Sequence, residues 1–314
     1  MSRQKIAVIG SGLIGRAWAI VFARAGHPVA LYDSDAGALA QNLGVIDAGL
    51  EELALNKLID EPPATVRARI RAAHDLAAAL GGAGYVQECI PEQLEAKTAV
   101  FATMDAIAAP DCILASSTST IPASAFTAEL SGRSRCLVAH PVNPPHLIPL
   151  VELAPAPWTD AAVVSRARAL HEAAGQVPIV VRREIQGFIL NRLQAALLNE
   201  ALTLFRDGYA SADDIDKTVR DGLGLRWSFI GPFETIDLNA PGGVSDYAQR
   251  YGGLMHAMAR TQKPCEWNAA IVQRLVAERR TLQPAHQLAE RQAWRDRRLM
   301  ELAAHKRQAA KNEL

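Results

Sequence analysis

At 314 residues the chain is long for a single core, so two domains are expected. Thirty-three basic residues balance thirty-three acidic ones, in a composition 49% hydrophobic and 21% charged, so nothing points to nucleic acid or an anionic membrane as partner. The four cysteines (Cys89, Cys112, Cys136, Cys265) have neither zinc nor disulfide spacing, and no run approaches the ~18 uncharged apolar residues of a membrane span. A reducing cytoplasm and no metal are therefore expected. Arg3 and Lys5 ahead of an apolar run imitate a signal peptide, but Gly10, Gly12, Gly15 and Arg16 break that run.

Lys5 to Ile9, KIAVI, has the branched apolar texture of a strand buried on both faces. Gly10-Ser-Gly12-Leu-Ile-Gly15 follows, then a helical stretch to Ala25 stopped by Gly26. In that order the motif reads as dinucleotide binding. Gly10 allows the turn, Gly12 the approach of a pyrophosphate and Gly15 close helix–strand packing, while free N–H groups around Leu13 and Ile14 face the phosphates. A second strand, Pro28 to Tyr32, ends in Asp33. An acid ~20 residues past the first glycine suits the adenine ribose hydroxyls. No Arg or Lys follows until Lys57, so NAD is expected rather than NADP.

From Asp35 to Ala79 the pattern is helical, with a break at Pro62-Pro63. Ala83 to Ile90 contains a strand, and Pro91-Glu92 then opens a helix. Glu92 and Lys97 would lie at the carboxyl edge of the sheet, as ligand groups or as an ordinary solvated acid and surface lysine. Asp111 to Ala115 is a strand followed by five hydroxyls, Ser116 to Thr120, which serve as caps or hold cofactor or substrate.

Cys136 to Leu153, CLVAHPVNPPHLIPLVEL, has two apolar runs flanking a proline-rich loop that cannot be helical. If the runs pair, Glu152 meets His140, and a carboxylate-held imidazole is an oriented proton acceptor. An ordinary loop histidine with an edge glutamate is the plainer alternative. A helix from about Thr159 to Ala174 and a strand from Val177 to Val181 follow.

After Glu184 the pattern is all helix and turn. The fold expected is α/β: a Rossmann-type, doubly wound, mostly parallel sheet over residues 1–186, then an all-α domain over 187–314. Gly187 to Arg206 is apolar nearly all round, so burial on more than one side is expected. Ser211 starts a further helix that Gly222 and Gly224 should stop. Arg226, beside Trp227 and Phe229, could clamp a carboxylate or be structural. So much apolar helical surface suggests a homodimer through the helical domain.

Taken together, the chain resembles the 3-hydroxyacyl-CoA dehydrogenase superfamily, nearest to its lambda-crystallin branch, which includes L-gulonate 3-dehydrogenase. Seven separated motifs carry the likeness: IGSGLIGRAWA, YVQECIPEQLEAK, SSTST, AHPVNPPHLIPLVEL, GFILNRLQ, GLRWSFIGPFETIDLNA and WRDRRLMELA. The resemblance implies that His140 is the acid/base, Glu152 its orienting carboxylate, and Ser119 and Asn191 the groups positioning the substrate oxygen and the imidazole. It implies cofactor roles for Asp33, Glu92, Lys97 and Asn143 beside the glycine loop. The implied substrate is a small 3-hydroxy acid, with Arg226 the candidate carboxylate partner; a CoA thioester, carnitine, or a non-catalytic crystallin-like role are the alternatives. Two departures stand out. His146 replaces the aromatic residue usual in the mammalian crystallin-type pattern, and the lysine of the acyl-CoA enzymes is missing between Asp35 and Asn56.

Overall fold

The computed structural model of the chain describes residues 3–312. Eight strands form one sheet: β1 (Lys5–Ile9), β2 (Val29–Tyr32), β3 (Ile70–Ala72), β4 (Ala83–Glu88), β5 (Ile113–Ser116), β6 (Cys136–Pro141), β7 (Leu150–Pro155) and β8 (Val177–Val180). Their order is β3-β2-β1-β4-β5-β6-β7-β8. The first six run parallel, β7 is antiparallel to β6, and β8 is parallel to β7. Strand order reverses direction between β1 and β4, the switch point at which open α/β sheets bind ligands.

The sheet is buried because its strands are apolar on both faces. Ile6 and Val8 of β1 point into a cluster with Trp18, Phe22 and Leu50. Ala7 and Ile9 point the other way, toward Phe101, Met104 and Phe126. Helices α1 (Leu13–Arg24), α2 (Ala36–Leu55) and α7 (Ala161–Ala173) cover the first face. Helices α4 (Leu76–Leu80), α5 (Leu94–Ile107) and α6 (Ser124–Thr127) cover the second, and the short α3 (Pro63–Arg67) precedes β3. Each fully buried large side chain contributes roughly 1.5–3 kcal/mol over leaving it in water.

By its contacts the chain divides into two compact units, one of residues 3–191 with 293–312, the other of 192–292. The second holds most of α8 (Leu190–Arg206), then α9 (Ala212–Lys217), α10 (Gly224–Trp227), α11 (Pro232–Leu238), α12 (Gly243–Thr261) and α13 (Ala269–Leu282). The charge-rich α14 (Leu288–Asn312) falls mainly with the sheet, where Met300 is buried and Arg307 pairs with Asp60. Among the described residues no helix is long and apolar enough to cross a membrane.

Four expectations need correction. The helical reading of 35–79 missed β3, a three-residue edge strand carrying the exposed Arg71, too short for periodicity to register. The helix expected to open at Pro91 starts at Leu94, because Glu92 turns its carboxylate to another loop. Gly222 and Gly224 do not stop α9: the chain runs on through a π-helical turn, Thr218–Leu223, into α10. Glycine weakens a helix by only about 1 kcal/mol, which neighbouring turns can carry. Finally, α8 is not buried on several sides; within the chain it buries only Leu202 and Phe205.

Candidate active site

Because β1, β4, β5 and β6 are parallel, their carboxyl ends share one edge. That edge carries the glycine loop, the segment after Glu88, the hydroxyl run and His140.

The glycine loop is shaped by close contact. Gly10 has φ +99°, and a Cβ at Gly15 would lie 1.7 Å from the Gly10 carbonyl oxygen. Gly12 faces open space and starts α1 with no side-chain cap, so the first N–H groups of the helix, from Leu13 and Ile14, stay available to an anion. Asp33 stabilises the loop: its Oδ2 accepts from the Ser11 N–H at 2.7 Å and the Ser11 hydroxyl at 2.8 Å. Burial pushes the Asp33 carboxyl up, but these bonds and those from Asp35 and Ser34 hold it below the usual range. An open glycine, an uncapped helix start and an ionised carboxylate at the end of β2 fit a dinucleotide.

His140 and Glu152 are paired directly across β6 and β7. The His140 Nδ1–H donates to Glu152 Oε2 at 2.8 Å, and the two side chains are 6% and 0% exposed. An ionised carboxylate only accepts, so the proton sits on Nδ1 and the Nε2 lone pair is the free base. The other carboxylate oxygen, Oε1, accepts from the N–H groups of Ile189 and Leu190, both at 2.9 Å. Glu152 therefore joins the imidazole to the start of α8, where anionic charge is favoured. Phe188 packs on the imidazole with ring centroids 5.4 Å apart.

One residue into α8, Asn191 donates from Nδ2 to the Ser119 carbonyl at 2.8 Å. The same hydroxyl loop is held from its other side by Glu92. Oε1 of Glu92 accepts from the Thr118 hydroxyl (2.6 Å) and from the N–H groups of Ser119 and Thr120 (3.0 Å each). Against the upward push of burial, the Thr118 and Thr120 bonds and the Lys97 charge draw the Glu92 carboxyl down. Thus His140, Glu152, Ser119, Asn191 and Glu92 are tied together within the sheet unit.

Other residues fall differently. Lys97 is not a surface lysine: it is 1% exposed, and its ammonium lies 2.9 Å from Glu88 and 3.8 Å from Glu92. Glu88, fully buried, also accepts from the Ser116 hydroxyl (2.5 Å) and the Ile90 N–H (2.6 Å). Burial pushes its carboxyl up against the pull of Lys97, Ser116 and Ile90. Glu88 was not singled out from the sequence, although a carboxylate inside the buried run YVQEC demands a partner just as Glu152 does. Asn143 lies exposed in the proline loop, joined to Pro144 by a cis peptide bond. His146, in the same loop, is away from this constellation and lines a separate cavity with Arg24. Arg226 lies exposed on α10 in the helical unit. Among the described residues no group of three His, Cys, Asp or Glu is arranged for a metal.

Gln87 was also missed. Fully buried beside Glu88, it donates from Nε2 to the Ser117 hydroxyl at 2.7 Å and to the Ala139 carbonyl at 3.2 Å, and accepts from the Tyr85 hydroxyl at 2.8 Å. It thereby buttresses the strand immediately before His140.

Known proteins match this architecture along the whole chain. Residues 5–185 match the NAD binding domain of 3-hydroxyacyl-CoA dehydrogenase, and residues 187–287 match its C-terminal domain. The lambda-crystallin homolog of Bos taurus is 44% identical over 308 residues, covering 96% of each chain. The L-carnitine dehydrogenase of Pseudomonas aeruginosa is 35% identical, covering 93% of this chain and 91% of its own. Among solved structures, 5-formyl-3-hydroxy-2-methylpyridine 4-carboxylic acid 5-dehydrogenase, an NAD+-dependent dismutase, superposes with a TM-score of 0.82 at 27% identity, over 96% of this chain and 97% of that one. The glycine loop, the two matched domains and the identity across nearly the full length lead to one conclusion: the chain belongs to the NAD-dependent 3-hydroxyacyl-CoA dehydrogenase family.

Proposed function

We propose that the protein oxidises the 3-hydroxyl of a small free 3-hydroxy acid, as L-gulonate 3-dehydrogenase does. The observation that carries the reading is the buried 2.8 Å bond between His140 and Glu152, which leaves Nε2 as a fixed base at the carboxyl edge of the sheet. The His140 Nε2 takes the hydroxyl proton. Glu152 compensates the charge the ring then acquires, and its bonds to Ile189 and Leu190 keep it from turning away. NAD, when bound, supplies the acceptor for the hydride leaving C3. The Ser119 hydroxyl hydrogen-bonds the substrate oxygen as it becomes a carbonyl, and Asn191 holds the Ser119 main chain in place. Glu92 fixes the loop that presents Ser119, while Lys97 balances Glu88 and Glu92 from below the surface. Arg226 is the candidate partner for the substrate carboxylate.

A free acid is favoured over a thioester by the 44% identity to a lambda-crystallin homolog and by the lack of lysine between Asp35 and Asn56. The test is initial rates with NAD against L-gulonate, 3-hydroxybutyrate, L-carnitine and 3-hydroxybutyryl-CoA. A kcat/KM at least ~10-fold higher for a free 3-hydroxy acid is expected, equivalent to about 1.4 kcal/mol. Preference for the thioester or for carnitine overturns the substrate, and no turnover with any of them overturns the enzyme.

The working form is a homodimer built on the helical unit. Support comes from two exposed stripes at helical spacing: Leu193 and Leu197 on α8, and Leu254 and Met258 on α12. Four free cysteines suit a reducing, cytoplasmic setting.

A further inference from the structure

A cavity lies in the sheet unit, and none of its lining residues belongs to the catalytic group or the glycine loop. Its volume is about 750 Å³, within the range of small-molecule sites. It is bounded by the end of α1, the loop at 58–61, the proline loop, the end of α7 and one side of α14. Most of the wall is apolar, including Leu58, Ile59, Leu147, Leu299 and Leu302.

The polar part of the wall is unbalanced. Arg24 donates from Nη1 to the His146 carbonyl at 2.8 Å, and among the described residues no carboxylate lies within ion-pair distance of it. Burial first, and then the charge of Arg307, draws its guanidinium down to about 10. Both acids of the lining already have partners: Asp60 pairs with Arg307, and Glu61 with Arg69. Asp296, the acid whose field reaches His146 from α14, pairs with Arg295. The Nδ1 atom of His146 is buried with no hydrogen-bond partner. Burial and the charges of Arg24 and Arg16 hold this imidazole down to about 4, so it is neutral at pH 7 and can offer Nδ1–H as a donor. A half-desolvated cation and an orphaned imidazole nitrogen on adjoining segments together lack one thing, an anionic acceptor.

We propose that this cavity is a binding site, separate from the catalytic one, for an amphipathic carboxylate such as a medium-chain fatty acid. Its head would accept from Arg24 and, once the His146 imidazole turns to face the cavity, from its Nδ1–H, and its chain would lie along the leucine-rich wall. The head must be an anion because the acids that could otherwise satisfy Arg24 are already paired. The body must be apolar because the walls offer little else.

The test is calorimetric titration of the full chain at pH 7.5 with decanoate, 1-decanol and decyltrimethylammonium, each below its micelle concentration. Decanoate should bind at one site at least ~10-fold more tightly than either analogue, without displacement by the 3-hydroxy acid substrate. Arg24→Gln should weaken decanoate about 10- to 100-fold, the usual range for losing a charge-assisted bond, and leave the NAD titration unchanged. Leu302→Trp, on the half-exposed side of α14, fills the cavity and should abolish decanoate binding even if Arg24→Gln proves unstable. No binding of decanoate, equal binding of decanol, competition by substrate, or indifference to both variants would each overturn the proposal.

Discussion

The sheet unit and the helical unit are made from similarly apolar sequence and reach opposite outcomes. In the sheet, β1 alone buries Ile6, Ala7, Val8 and Ile9 to 2% exposure or less, and layers of helix close over both faces. In the helical unit the buried cluster is Leu202, Phe205, Ala212, Cys265 and Ile271, and the nineteen-residue α12 buries nothing. Phe233 and Leu193 stand 80% and 62% exposed. The difference teaches that apolar content fixes how much surface must be covered, whereas topology fixes whether one chain can cover it. A sheet with helices on both faces covers its own apolar surface; a string of helices with one small cluster leaves much of its own exposed.

The proposed chemistry uses side chains of the sheet unit, and the first prediction follows from that. His140→Asn should lower kcat by about 10²–10⁴-fold, the range for losing a general base, with NAD affinity within about twofold of the parent. Steady-state kinetics and a fluorescence titration of NAD measure both. Near-native turnover in His140→Asn, with loss in His146→Asn, would show that the wrong imidazole is named.

The helical side of the contrast is sharpened by a paired substitution, Leu193→Glu with Leu197→Glu. Two buried charges of one sign in a dimer core should raise the dissociation constant by roughly 100-fold or more while the sheet unit keeps its fold. Sedimentation velocity alongside circular dichroism would report this, and an unchanged association state would remove the dimer interface from α8.

Acid sensitivity should also reside in the sheet unit. His171 is enclosed by Trp18, Phe22 and Tyr85, and burial holds it down to about 3, as it helps hold His146 down to about 4. Their folded values lie below the unfolded 6.5, so as pH falls through 6.5 the unfolded chain takes up protons that the folded chain refuses. Stability is full above about 6.5 and falls by roughly 1.4 kcal/mol per pH unit for each histidine, levelling only near 4 and 3. Denaturant midpoints from pH 7 to pH 4.5 should fall accordingly, and His171→Gln should flatten the slope. An unchanged slope in that variant would mean His171 is not the group responsible.

Much of this molecule was legible from local order along the chain. Strand, glycine loop, helix, strand and Asp33 follow one another within a single βαβ unit, so the dinucleotide site needed little more than reading. The His140–Glu152 pair was also within reach, because two apolar runs joined by a short proline loop have few ways to fold back. Partners from distant segments were another matter. Nothing local says that Lys97 is buried on Glu88, that Glu92 closes on Thr118 to Thr120, or that Glu152 receives two N–H groups from the start of α8. Sequence periodicity reports which face of an element is apolar, and so it set the fold class and the buried strands. Which polar group meets which is decided at about 3 Å between segments far apart in the chain, 72 residues for Asn191 and Ser119 and 122 for Arg24 and His146, and only the folded packing brings them within that distance.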